Sequence, residues 1–298
     1  LLKWLKMIHA ITILLDQNIT LTPPPPQPIM MAAGGTFMRI TCLTENTARP
    51  GFESEHGLSL YIETQDKKIL FDMGQTELFT RNAGKMGIDL TQVDLAILSH
   101  GHYDHGGGLT RFLELNTHAP VYVNEHAFGA YYNGTTKYIG LDAKLQGHPR
   151  LITTQDEHTI EKGLTLYTCN TSAKPYDLGS FGLTQRAGED FRPDAFLHEQ
   201  YLLIEEDGRR VLISGCSHKG ILNIVQWFRP DVLVGGFHFS KLPLDDTLAE
   251  YARILNESPT TFYTCHCTGL EQFAYMQQWM PLLHYLATGD QITISPEA

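Results

Sequence analysis

Apolar and polar positions divide the chain into short runs that repeatedly end at a glycine or a histidine. Residues 38–43 read as a strand, residues 58–63 alternate, and residues 68–72 follow a polar turn, so the last two segments predict a β-hairpin. Helical spacing over 76–86 stops at Gly87. The run Leu95-Ala96-Ile97-Leu98-Ser99 has the character of a buried strand and leads directly into His100. Further strands are expected at 120–123, 164–168, 201–204, 211–214, 232–234 and 261–263, and helices at 220–228, 247–257 and 270–285. Strands joined by short turns, with helices among them, predict a two-sheet core with helices outside, within the α/β (α+β) class.

Residues 1–37 have a different texture. Residues 1–15 are mostly apolar, interrupted by Lys3, Lys6 and His9, and the run Pro23-Pro24-Pro25-Pro26 follows. The apolar part is short and interrupted compared with the ~20 residues a membrane span needs, and four prolines fit poorly with a cleaved signal. The expectation is an N-terminal leader or flexible extension with a polyproline spacer, followed by one folded domain over 38–298.

Composition narrows the partners. A formal net charge of −11, with 33 acidic against 22 basic residues, argues against nucleic acid, whose affinity comes from clustered Lys and Arg. It leaves room for a small-molecule substrate, including an anionic one. Five cysteines without disulfide-framework spacing fit a reduced, cytoplasmic protein with no stable membrane span. Self-association into a homo-oligomer is left open.

The chemistry lies in Ser99-His100-Gly101-His102-Tyr103-Asp104-His105-Gly106-Gly107-Gly108. Two histidines two apart would mean little alone. Four metal-competent residues within six positions, between a buried strand and a glycine run, point to a metal site. Imidazole nitrogen and carboxylate oxygen are zinc ligands at roughly 2.0–2.2 Å, and such ligands must be held stiffly. Three later segments each place a histidine just past an apolar strand: Gly215-Cys216-Ser217-His218, Gly235-Gly236-Phe237-His238 and Thr264-Cys265-His266-Cys267. Alternation in extended backbone turns Cys265 and Cys267 away from the site as small buried thiols.

The His-x-His-x-Asp-His segment resembles the hallmark of the metallo-β-lactamase superfamily, which implies a four-layer αββα sandwich with the site at one edge of two sheets. The resemblance implies that His100 and His102 bind one metal and Asp104 and His105 contribute to another, and it makes Asp72 a residue that orients a ligand. Together with Glu55-His56-Gly57, His198-Glu199-Gln200, Gly215-Cys216-Ser217-His218, Gly236-Phe237-His238 and His266-Cys267-Thr268-Gly269, it is similar to one branch, proteins like 7,8-dihydropterin-6-yl-methyl-4-(β-D-ribofuranosyl)aminobenzene 5′-phosphate synthase. Carried over, His266 joins Asp104 and His105. Either His218 or His198 completes the site of His100 and His102, with His218 ranked first. Cys216 falls where the wider superfamily has a bridging aspartate, which favours one tightly held ion and a weaker second one.

The function implied is a metal-dependent hydrolase that uses a metal-activated water on a small phosphorylated or cyclic-ester substrate, with one or two Zn²⁺ and with Mn²⁺ or Fe²⁺ as alternatives. Asp104 is also expected to take up a proton during turnover. His56 and His238 are candidate substrate contacts, and Lys219, at a helix start, is a candidate anion contact. Segments 131–138 and 174–192 are candidate substrate walls. A non-catalytic ligand sensor and a di-iron redox protein on the same scaffold are the competing readings.

Overall fold

The computed structural model describes residues 38–297; the leader expected over 1–37 lies outside the described residues. Seven strands build the first sheet in the order Gln291–Ile294, Met38–Thr44, Ser59–Glu63, Lys68–Phe71, Leu95–Ile97, Val121–Asn124 and Leu151–Thr154. Seven more build the second: Leu283–Tyr285, Thr261–Thr264, Val232–Val234, Arg209–Ile213, Tyr201–Glu206, Leu164–Tyr167 and Glu157–Glu161. Pairing is antiparallel through the hairpins and parallel where a helix intervenes, so each sheet is half of each kind.

Alternation along the strands sorts their side chains into layers. Ile62, Phe71 and Ile97 of the first sheet meet Leu166, Leu202 and Ile213 of the second in one core. On the outer face of the first sheet, Leu70, Ala96 and Val121 pack against Phe79 of the helix Leu78–Lys85 and Phe112 of the helix Leu109–Leu115. On the outer face of the second, Leu212 and Leu233 pack against the helices Ile221–Phe228, Asp246–Asn256 and Leu270–Met276. Helix, sheet, sheet and helix form the αββα sandwich. Among the described residues no helix is long and apolar enough to cross a membrane.

Two differences from the sequence reading have clear causes. The helix expected over 270–285 ends at Met276, and Leu283–Tyr285 forms an edge strand parallel to Thr261–Thr264. Pro281 sits in the connection; it has no N–H and would clash with a helical turn before it. Segments 131–138 and 183–193 are strands of a third, four-stranded sheet, Asp190–Pro193, Leu183–Ala187, Tyr131–Asn133 and Lys137–Tyr138.

The arrangement matters for chemistry because five neighbouring parallel strands point their C-terminal ends to one edge. Lys68–Phe71 delivers Asp72 there, and Leu95–Ile97 delivers His100. From the second sheet, Arg209–Ile213 delivers Cys216 and His218, Val232–Val234 delivers His238, and Thr261–Thr264 delivers His266. Ligand sites in open α/β sheets fall at such carboxyl ends. The edge depends on the sheets staying in register over their shared core. Ile213, fully buried three residues before Cys216, is therefore expected to cost about 2–5 kcal/mol on truncation to Ala, read as a lowered urea midpoint with an unchanged m-value.

Candidate metal centre

Glycine permits the path of the ligand segment. A Cβ on Gly101 would lie 2.1 Å from the Ala127 carbonyl oxygen, and one on Gly107 would lie 2.1 Å from that of Gln75. This close approach carries the chain through the short helix Tyr103–Gly106 and brings Asp104 and His105 back beneath His100. All three are buried, as is His102.

Two pairs of ring nitrogens face each other across the edge. His100 Nε2 and His218 Nε2 face each other at 3.3 Å, and His105 Nε2 and His266 Nε2 at 3.2 Å. His266 Nε2 also lies 3.4 Å from Asp104 Oδ2. Two nitrogens about 2.0–2.1 Å from one tetrahedral ion stand about 3.3–3.4 Å apart, so the spacing suits a shared ion in each place. One donor atom from each of His100, His102 and His218 lies within 4.8 Å of the others, and so do those of His100, His105 and Cys216. Among the described residues, the buried His102 Nε2 has no hydrogen-bond partner.

The electrostatics agree. Burial, and then neighbouring imidazoles, hold His100 and His218 well below the usual histidine range. Burial with His198 lowers His102 to about 3. These rings are neutral, with lone pairs free for a cation, as metal ligation requires. Burial would lower His105 too, yet Asp72 and Asp104 raise it to about 9, so the field there favours positive charge. Burial also pushes the Cys216 thiol well up, and a thiolate there needs a cation beside it.

Each ligand candidate is held from behind. Asp72 accepts from Ser99 N and Ser99 Oγ, each at 2.7 Å, and from His105 Nδ1 at 2.6 Å. Ser99 Oγ in turn lies 2.8 Å from His100 Nδ1. Three consecutive residues before the strand Tyr201–Glu206 each anchor a different part of the edge. His198 Nδ1 accepts from Gly101 N at 2.9 Å, and its Nε2 donates to Asp194 at 3.1 Å. Glu199 accepts from the backbone N–H groups of His218 at 2.6 Å and Lys219 at 3.0 Å. Gln200 N donates to the Ser99 carbonyl at 2.8 Å. Both nitrogens of His198 are thus occupied, whereas His218 Nε2 faces His100.

The remaining candidates divide. His56 and His238 line a cavity of about 170 Å³ in front of the metal edge, with His56 Nε2 3.2 Å from Asp104 Oδ2. Lys219 is buried away from this cavity; its Nζ donates to the carbonyls of Thr168 at 2.7 Å and Glu199 at 2.8 Å. Instead, Lys137 and Lys241 line the cavity, with Tyr103 and Leu183. Cys265 lies in the core between the sheets, as alternation suggests, but Cys267 lines the cavity beside Cys216 and His238. The turn at His266, with φ 48°, breaks the alternation there. Lys137 falls in the 131–138 segment expected to form a wall, and Glu199 in the quoted His198-Glu199-Gln200 segment, whereas Asn46 and Lys241 escaped the sequence reading because no local pattern marks them.

A four-layer sandwich carrying His, Asp and Cys at the carboxyl ends of its inner strands defines a metallohydrolase-type enzyme. Residues 55–254 match the metallo-beta-lactamase superfamily, and the chain belongs to that family, whose fold implies a divalent metal. It is 28% identical over 251 residues to an uncharacterized protein of Methanocaldococcus jannaschii, covering 80% of this chain and 94% of the relative. It is 26% identical over 249 residues to the 7,8-dihydropterin-6-methyl-4-(beta-D-ribofuranosyl)-aminobenzene-5′-phosphate synthase of the same organism, covering 74% and 83%, which supports the branch. The solved structure of Tm1679, described as a metal-dependent hydrolase of the beta-lactamase superfamily, superposes with a TM-score of 0.73 at 30% identity, over 87% of this chain and 99% of that one. YhfI from Bacillus subtilis, at 16% identity and a TM-score of 0.56 over 86% and 99% of the two chains, shares the fold.

Metal analysis separates the two histidines the sequence left open. Elemental analysis of dialysed His218→Ala is expected to show about one ion fewer than the parent chain. His198→Ala is expected to retain its ions and lose thermal stability, because Gly101 N loses its acceptor.

Proposed function

We propose that this chain is a zinc-dependent hydrolase with two adjacent ion positions, acting on a small anionic substrate with a phosphate ester or a cyclic ester. The observation that carries the reading is the pair of facing imidazole nitrogens at 3.3 Å and 3.2 Å, a spacing suited to shared ions. His100, His102 and His218 would hold the first ion. Asp104, His105 and His266 would hold the second, with the thiol of Cys216 between the two. Three neutral imidazoles make the first position tight, and the cost of ionising the buried Cys216 makes the second weaker.

A bound zinc ion lowers the pKa of its water toward ~7 and polarises the bond under attack. The protein's own part is positional. Asp104 Oδ2 lies 3.2 Å from His56 Nε2 and 3.4 Å from His266 Nε2. The charge of His105, and then the His56 N–H, hold it well below the carboxylate range against burial, so it stays an anion able to orient a water proton. Lys137 and Lys241 supply the cationic side of the cavity, and Tyr103, Ile139 and Leu183 its apolar side, a lining that suits a ring bearing an anionic group. The printed name of the synthase relative includes a 5′-phosphate, which supports the same substrate class.

The two competing readings have less support. A di-iron redox centre favours carboxylates, whereas imidazole and thiolate favour zinc. A ligand sensor has no need of an anionic Asp104 directed at the ion positions.

The test is a panel of phosphodiesters, phosphomonoesters and lactones assayed with the zinc-loaded protein. Chelation with verified zinc depletion is expected to abolish turnover, and zinc to restore it. His102→Ala should lower kcat/KM by more than the roughly 10–100-fold typical of residues that only orient a ligand. Turnover that survives full depletion overturns the reading. Replacing Lys137 and Lys241 together by Ala is expected to raise KM at least tenfold for phosphorylated substrates and to leave KM for uncharged lactones unchanged.

A further inference from the structure

His266 is the most remote of the ligand candidates in sequence and has an unfavourable backbone, with φ 48° in the left-handed region. Something must hold it there. Two consecutive residues just past the strand Met38–Thr44 do so. Glu45 Oε2 accepts from the His266 backbone N–H at 3.1 Å and from Tyr285 Oη at 3.0 Å. Asn46 Oδ1 lies 2.7 Å from His266 Nδ1.

The other end of the Asn46 amide is also used. Its Nδ2 lies 3.4 Å from His56 Nδ1, and the far nitrogen of that ring, Nε2, lies 3.2 Å from Asp104 Oδ2. The carboxyamide has one accepting and one donating end, and each imidazole must donate on one side when it accepts on the other. The directions agree throughout. His266 Nδ1–H donates to Asn46 Oδ1, Asn46 Nδ2–H donates to His56 Nδ1, and His56 Nε2–H donates to the anionic Asp104. The reverse arrangement would place a proton on His266 Nε2, between Asp104 and His105, and would turn the His56 lone pair onto the Asp104 carboxylate.

Resting on the reading of Asp104 and His266 as ligands, we propose that Asn46 is a positioning residue that sets the tautomers of two histidines at once. It leaves His266 Nε2 free to face the ion position and directs a hydrogen-bond donor of His56 at Asp104. Asn46 is exposed and lines the cavity, so its replacement removes this relay without opening the core.

The test compares Asn46→Ala and Asn46→Asp with the parent full-length chain, with thermal melts to verify folding. Two-bond proton–nitrogen correlation NMR on the isotope-labelled, metal-free protein under mildly alkaline conditions reads the tautomers. The parent chain should carry Nδ1–H on His266 and Nε2–H on His56. Asn46→Ala should give mixed tautomers at both rings. Asn46→Asp keeps an acceptor for His266 but offers no donor to His56, so it should retain Nδ1–H on His266 and no longer fix the tautomer of His56. In competition with a chromophoric chelator, Asn46→Ala should weaken the weaker zinc step by roughly 10–100-fold, and Asn46→Asp should recover most of it. Unmoved tautomers in Asn46→Ala, or zinc binding no better in Asn46→Asp than in Asn46→Ala, overturns the proposal. A parent chain that takes up no zinc defeats the reading of the site as a metal centre, while the tautomers still decide the role of Asn46.

Discussion

The carboxylate of Asp72 is the constraint on which the rest of the edge depends. It ends the strand Lys68–Phe71 in a left-handed conformation, φ 59°, which an aspartate tolerates better than most side chains. Fully buried, it ties the end of the next parallel strand to the loop beyond it, through Ser99 N, Ser99 Oγ and His105 Nδ1. It thereby decides which nitrogen of two imidazoles is free. His105 donates to it directly, and His100 reaches it through Ser99 Oγ, so both rings turn Nε2 toward the second sheet. A buried charge is tolerated only when it is bonded on several sides, and here that requirement fixes the geometry of the site.

The second sheet meets this edge through the consecutive residues His198, Glu199 and Gln200. They tie Gly101, the turn before His218, and the end of the His100 strand to one another. The two halves of the sandwich therefore share a common brace as well as a core. Four non-glycine residues at the edge, Asp72, Ser217, His238 and His266, have positive φ. Such strain persists only where the surroundings over-determine it, and hydrogen bonds supply that determination at Asp72, Ser217 and His266.

Much of this was legible in the sequence. The ligand segment after an apolar run and the histidines after three later apolar runs identified the edge, because strand and ligand are local neighbours. A two-sheet core with helices outside followed from hairpins and helices placed by hydrophobic period, and the family resemblance implied the αββα order. What escaped notice depends on distant partners. Asn46 and His266 are 220 residues apart, and neither neighbourhood marks the contact. His198 and His218 have similar local settings, and the acceptor bond His198 makes to Gly101 N, 97 residues away, is invisible in either. Lys219 looked like an anion contact because it starts a helix, yet two buried carbonyls hold its ammonium group. The third sheet was hidden by half-exposed strands such as Asp190–Pro193, which bury too little apolar surface to leave a period.

The proposed centre has two ion positions, one among His100, His102 and His218 and the other among Asp104, His105 and His266, with Cys216 between them. Anomalous diffraction at the zinc edge, on crystals of the zinc-loaded protein, tests it most directly. A strong peak is expected about 2.0–2.1 Å from His100 Nε2 and His218 Nε2, and a weaker one beside His105 Nε2 and His266 Nε2. A peak bound instead between His198 and Asp194, or no peak at the strand ends, would contradict it.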